Sequence, residues 1–153
     1  MKTNSRIRAI GTADEFAEHI RQVEAYIAGD DPETKLMQRL SDQIDKKGED
    51  SLTKPERLYF AASNFIGALF NGLTHDFLAN QHELLINSVR DALVELQTDD
   101  LVTAYDNLRR EFHDGVIQQG SDYESKSEAT IIAGYMDLDS RLESYAFAHR
   151  LFD

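Results

Sequence analysis

Residues 53 to 72 constrain the fold of this chain more than any other stretch. Thr53-Lys54-Pro55-Glu56 has the form of a capping box with a proline in the first turn. A hydroxyl and a carboxylate three positions apart can each take up a backbone N–H that the start of a helix leaves unbonded. Behind the box, Leu58, Tyr59, Ala62, Phe65, Ile66, Leu69 and Phe70 recur at helical spacing until Gly72. They cover more than one stripe of the surface, so the pattern predicts a central helix that others must enclose on most sides.

The flanking sequence repeats this punctuation. Thr12 and Glu15 form a second capping box ahead of Phe16, Ile20, Val23 and Ile27, with Gly29 as the stop. Asp31-Pro32 opens another helix through Leu36, Met37, Leu40 and Ile44 to Gly48, and the two are expected to form an antiparallel hairpin over residues 12–48. After the central helix, Asn80 with Glu83 reads as a cap for a helix bearing Leu85, Val89, Ala92 and Leu96. Thr98 or Asp99 then caps a fifth, with Leu101, Tyr105, Leu108 and Phe112 before Gly115. Residues 113–127 read as a long exposed loop, and a last helical region, broken near Gly134, carries Ile131, Ile132, Leu138, Leu142, Tyr145 and Phe152. No Val/Ile/Thr run alternates with period two. The expectation is an all-α, single-domain helical bundle of about six helices with little or no sheet. Residues 1–11 are expected to be a flexible basic N-terminus, with 12–153 as the helical domain and 53–153 as its core. A chain of 153 residues is long enough to bury roughly 70% of its unfolded surface.

Charge narrows the function. The chain has 16 basic and 28 acidic residues, a formal net charge of −12. Lys2, Arg6 and Arg8 lie in the first ten residues, which contain no acid, so the body is more acidic still. Such a surface repels nucleic acid, whose binding needs Lys and Arg to displace counterions from phosphate, and direct nucleic-acid binding is not expected. It attracts basic surfaces over long range instead. No apolar run approaches the ~20 residues that span a bilayer, and the N-terminus lacks the apolar stretch of a secretory signal. Without any cysteine, disulfides, thiolate nucleophiles and zinc-thiolate sites are excluded, which suits a reducing compartment. The expected location is the cytoplasm, with no membrane partner.

Catalytic signatures are sparse. His75-Asp76 could give two ligands to a divalent metal in a helical hydrolase, provided that His19 or His82 and an acid such as Asp91 or Asp106 joined them. His82-Glu83 begins like a zincin motif, but Ile86 stands where the second His belongs. No His has Glu three residues before it, as a di-metal bundle requires. Neither a Gly-x-Ser-x-Gly elbow nor a phosphate-cradling Gly-rich loop with Lys is present. No metal and no cofactor are therefore expected. What remains is carboxylate: Asp30, Asp31 and Glu33; Glu49 and Asp50; Asp99 and Asp100; Asp122 and Glu124. Acids at helix starts ordinarily serve the helix dipole. Asp91, Glu95 and Asp99, however, repeat every four residues, about 6 Å apart along a helix axis, and could present a phosphate-like row to a basic groove.

The stretch Asn71 to Asn80 carries a family resemblance. Asn71, Gly72, Phe77, Leu78 and Asn80 match a pattern close to Glu-x-x-Asn-Gly-Gly-Phe-x-Gln-Tyr-Phe-x-Asn. Residues Glu56 to Phe112, with Asp137 to Phe152, resemble a bacterial family of small acidic all-helical domains of unknown function typified by a DNA-mimic protein. Ala68, Leu73, Thr74 and Asp76 depart from the pattern. The surviving positions are expected to be architectural: Asn71-Gly72 a helix stop, Phe77 a core anchor, Asn80 the next cap. The resemblance implies an all-helical homodimer whose acidic face imitates DNA and occupies the DNA-binding surface of a regulator.

The expected function is thus a non-enzymatic acidic interaction protein that binds a basic protein partner. Asp91, Glu95, Asp99 and Asp100 are the candidate contact residues, with Asp30, Asp31 and Glu33 as a second patch. Two alternatives stay open: an immunity or antitoxin protein that neutralises a basic toxin, and a metal-dependent hydrolase centred on His75 and Asp76.

Overall fold

A computed structural model describes residues 13–117 and 125–153. The expected basic N-terminus, the Thr12 cap and the Asp122–Glu124 cluster lie outside the described residues. Among those described, the chain is all-α, with eight α-helices, one 3-10 turn and no strand. The helices are α1 Ala13–Ala28, α2 Pro32–Lys47, α3 Lys54–Phe70, α4 Thr74–Asn80, α5 Glu83–Glu95, α6 Asp99–His113, α7 Lys126–Ala133 and α8 Tyr135–Ala148. The excess over six comes from α4, formed inside the Asn71–Asn80 junction, and from the break between α7 and α8 at Gly134.

The chain divides into two compact units, and the boundary falls inside α2, between Arg39 and Leu40. In the first unit, Asp31 caps α2: its Oδ2 accepts the Thr34 N–H at 3.0 Å. Partial burial alone would raise the Asp31 pKa, but the hydrogen bonds from Thr34 outweigh it and hold it below the usual value. On α1, Phe16, Ile20 and Val23 are 53%, 39% and 41% exposed, so these three residues of the stripe that periodicity assigns to a core are not buried.

In the second unit, α3 is central, as its sequence requires, and touches α4, α5, α7 and α8. Its capping box is formed in full: Thr53 Oγ1 accepts the Glu56 N–H at 3.3 Å and Glu56 Oε1 accepts the Thr53 N–H at 3.0 Å. Leu58, Tyr59, Phe60, Ala61, Ala62, Phe65 and Leu69 are buried. Phe65 meets Phe77 edge-on at 5.4 Å and Tyr105 at 5.1 Å, joining α3, α4 and α6 through one aromatic cluster. The Tyr105 hydroxyl, fully buried, donates to the Ile86 carbonyl of α5 at 2.7 Å.

α3 stops as its sequence says. Gly72 takes φ 70, the Leu73 N–H reaches the Ala68 carbonyl at 2.8 Å and the Gly72 N–H reaches that of Leu69 at 3.4 Å. This is the doubly bonded left-handed stop that glycine permits. α5 ends through the same pair of bonds, Thr98 N–H to Leu93 and Gln97 N–H to Val94, each 3.0 Å, but with Gln97 at φ 58. No glycine marks that turn. The cap expected at Asn80 also moves. Asn80 is the last residue of α4, and His82 caps α5 by accepting the Leu84 N–H on Nδ1 at 3.3 Å. The extra turn of α4 consumes Asn80 and pushes the start of α5 two residues on.

The expected loop 113–127 is anchored at both ends, since Ile117, Ser125 and Ser127 are buried. Ser125 Oγ caps α7 by accepting the Glu128 N–H at 2.9 Å. At the α7–α8 corner, Gly134 lets the backbone come close to α6: a Cβ there would sit 3.0 Å from Leu101 Cδ2.

Candidate functional site

The candidate acids Asp91 and Glu95 lie exposed on the last turns of α5, and Asp99 and Asp100 lie exposed on the first turn of α6. They do not continue one helical row. The left-handed Gln97 ends α5 two residues after Glu95, and Thr98 is buried, its hydroxyl donating to the Leu93 carbonyl at 2.8 Å. The 6 Å axial repeat holds from Asp91 to Glu95 and breaks before Asp99. The four carboxylates instead turn a corner between two helices.

Cations on the flank of this corner are already engaged. Arg90 on α5 grips Asp106 on α6, with Nε 2.9 Å from Oδ1. The hydrogen bond to Asp106 is the main cause of the raised Arg90 pKa. Arg109 donates back across the same helix pair to Glu83 and Asn87, both at 3.1 Å. Arg141 of α8 donates to the Leu96 carbonyl at 3.0 Å and to Asp137 at 2.9 Å, satisfying one of the orphan carbonyls at the end of α5. Among the described residues none of Asp91, Glu95, Asp99 and Asp100 forms an ion pair. Glu95 faces Tyr145, whose pKa rises mainly through burial and secondarily through that carboxylate.

The second patch, Asp30, Asp31 and Glu33, surrounds the start of α2 in the first unit. Asp31 is committed to capping there, while Asp30 and Glu33 are exposed.

His75 and Asp76 are adjacent on α4, with His75 Nδ1 3.7 Å from Asp76 Oδ1. The His75 ring packs edge-on against Phe112, centroids 5.3 Å apart. The other ligands that a metal centre would need do not join them: His82 is spent as a helix cap and Asp106 is held by Arg90. Among the described residues no group of three His, Asp or Glu side chains is arranged to hold a metal ion. The architectural positions are Asn71 at the end of α3, Gly72 in the stop and Phe77 buried on Phe65.

One feature was not foreseen from the sequence. A cleft of about 450 Å³ runs between α6 and α7, faced by Asp100, Asn107, Arg110, Glu111 and Asp114 on one side and Lys126 on the other. Ser127 Oγ donates to Glu111 Oε1 at 2.7 Å, while Glu111 Oε2 is buried with no hydrogen-bond donor. The helical spacing of Asp100, Asn107, Arg110 and Asp114 marks one polar face of α6. Nothing in the sequence signals that α7 stands opposite.

No protein-family model, no curated protein and no solved structure matches this chain. No helix among the described residues is long and apolar enough to cross a membrane.

Proposed function

We propose that this protein is a non-enzymatic interaction protein that offers Asp91, Glu95, Asp99 and Asp100 to a basic protein surface. The DNA-contacting face of a regulator is the partner that the family resemblance implies. One observation carries the reading: four exposed carboxylates flank the α5–α6 corner with no ion pair among the described residues, while the nearest arginine, Arg90, is occupied by Asp106. Between Asp91 and Leu108 the sequence contains no Lys or Arg at all. Unpaired carboxylates of this kind can accept charge-assisted, bidentate hydrogen bonds from arginine. Exposed pairs each add little affinity, so the charge acts mainly by accelerating encounter and rejecting acidic competitors.

The test is binding of the purified protein to DNA-binding regulators at ~50 and ~200 mM salt, with and without competing duplex DNA. Binding should weaken with salt and be displaced by DNA. The joint variant Asp91→Asn, Glu95→Gln, Asp99→Asn and Asp100→Asn should lose it. Complexes indifferent to competing DNA would remove the mimicry, and complexes indifferent to the four substitutions would remove the corner as the contact surface.

A further inference from the structure

We propose that the α6–α7 cleft is a binding site for a cationic α-amino acid, either free or as the carboxyl-terminal residue of a basic peptide. Its volume, about 450 Å³, falls within the roughly 300–1,000 Å³ of small-molecule sites. Its charges are of both signs and are not used on each other. Among the described residues Arg110 and Lys126 have no acidic partner, and Asp100 and Asp114 no basic one. Arg109, the immediate neighbour of Arg110, spans two helices to reach Glu83 and Asn87. Arg110 has no such partner among the described residues.

Glu111 supplies the second observation. Ser127 holds its Oε1, which fixes the carboxylate, yet Oε2 is buried and has no donor among the described residues. A buried carboxylate oxygen without a donor is costly, and an incoming ammonium or guanidinium relieves that cost. The complementary ligand follows from the inventory. A carboxylate matches the planar donor fork of Arg110 or the Lys126 ammonium across the cleft, and an ammonium or guanidinium matches the rim acids and, once the side chains covering it turn aside, Glu111 Oε2. Among the described residues three carboxylates against two cations leave the cleft one negative charge in excess, which selects a ligand with one net positive charge. Arginine and lysine, with one carboxylate and two cationic groups, meet this condition. A dicarboxylic amino acid places a surplus anion against Asp100 and Asp114, and an amine without a carboxylate leaves Arg110 and Lys126 unanswered.

Calorimetric titration of the full chain with L-arginine, agmatine, L-glutamate, and an arginine-terminated peptide with free or amidated carboxyl terminus tests the assignment. Saturable binding of L-arginine or of the free-acid peptide is expected, with agmatine, glutamate and the amidated peptide at least about tenfold weaker, the worth of one charged hydrogen bond. Tighter binding by the free-acid peptide than by L-arginine identifies a chain terminus as the source; the reverse order identifies the free amino acid. Arg110→Ala and Glu111→Gln should each weaken the preferred ligand about tenfold or more. The exposed Arg110 side chain makes no hydrogen bond or ion pair among the described residues, so its variant remains informative if Glu111→Gln perturbs the Ser127 bond. Absence of saturable binding by both arginine ligands, agmatine binding equal to arginine, or binding unchanged in both variants would overturn the proposal. Asp100 borders both the acidic corner and the cleft, but Arg110 and Glu111 lie outside the corner, so ligand binding in their variants is read independently of regulator binding.

Discussion

Replacing Tyr105 with Phe should reverse its effect on stability between neutral and alkaline pH. The phenol is fully buried, packs on Phe65 at 5.1 Å, and donates to the Ile86 carbonyl at 2.7 Å. Tyr105→Phe keeps the ring and removes one neutral hydrogen bond, a loss of about 1 kcal/mol at pH 7. Burial, the largest cause, pushes the phenol pKa well above its ordinary 10.0, against a smaller lowering by Arg109. A folded pKa raised above the unfolded one means that the contribution is complete below the unfolded pKa and is lost as pH climbs towards the folded one. The unfolded chain releases this proton above pH ~10 while the folded chain holds it, so the wild type loses about 1.4 kcal/mol per pH unit there from this group. The variant loses nothing at this position, and all other alkaline titrations cancel in the comparison. At pH ~11 the accumulated loss is about 1.4 kcal/mol, so the two stability curves should cross near pH ~10.7. Urea unfolding of both proteins from pH 7 to 11 measures this. A constant difference across that range would show that the phenol ionises as freely in the folded protein as in the unfolded chain, contrary to its burial.

Other expectations concern the helix ends and one corner. Thr53→Ala should cost about 1 kcal/mol in chemical denaturation by opening the capping box of the central helix, and an unchanged midpoint would mean that the box contributes nothing. Gln97→Gly should raise the melting temperature, because the φ of 58 costs a side-chain-bearing residue about 1–2 kcal/mol, more than the ~0.5–1 kcal/mol that glycine loses in the unfolded chain. A lower melting temperature would contradict this balance. Gly134→Ala should destabilise by about 1 kcal/mol through its contact with Leu101. Leu101→Val should recover part of that loss in a double-mutant cycle, whereas simple additivity would argue against the contact.

Much of the chemistry that acts within one helical turn was legible. Gly29, Gly48, Gly72 and Gly115 were all readable as stops, and each takes φ between 70 and 86. The Thr53–Glu56 box and the Asp31 cap form as their spacing dictates. Two signals of the same grade misled. Asn80 with Glu83 has capping spacing, but α4 extends through Asn80 and His82 takes the role. Asp91, Glu95 and Asp99 have a four-residue repeat, yet the end of α5 lies inside it. Gln97 carries no mark of a left-handed residue, and its conformation accompanies the buried Thr98 beside it, which bonds back to the Leu93 carbonyl through both its N–H and its hydroxyl.

By itself, then, the sequence of this protein determined an all-α chain, the central place of α3, most helix ends and a strongly acidic body. Each depends on hydrogen bonds, dihedral preferences and apolar spacing within a few neighbouring residues. Only the tertiary structure decided that Asp99 and Asp100 sit round a corner from Asp91 and Glu95, that Arg90 and Arg109 are spent on Asp106 and Glu83, and that Arg110 and Glu111 face Lys126 across a cleft. Those relations join residues on different helices, and the meeting of two helix faces is set by how their side chains interlock, which no local pattern records.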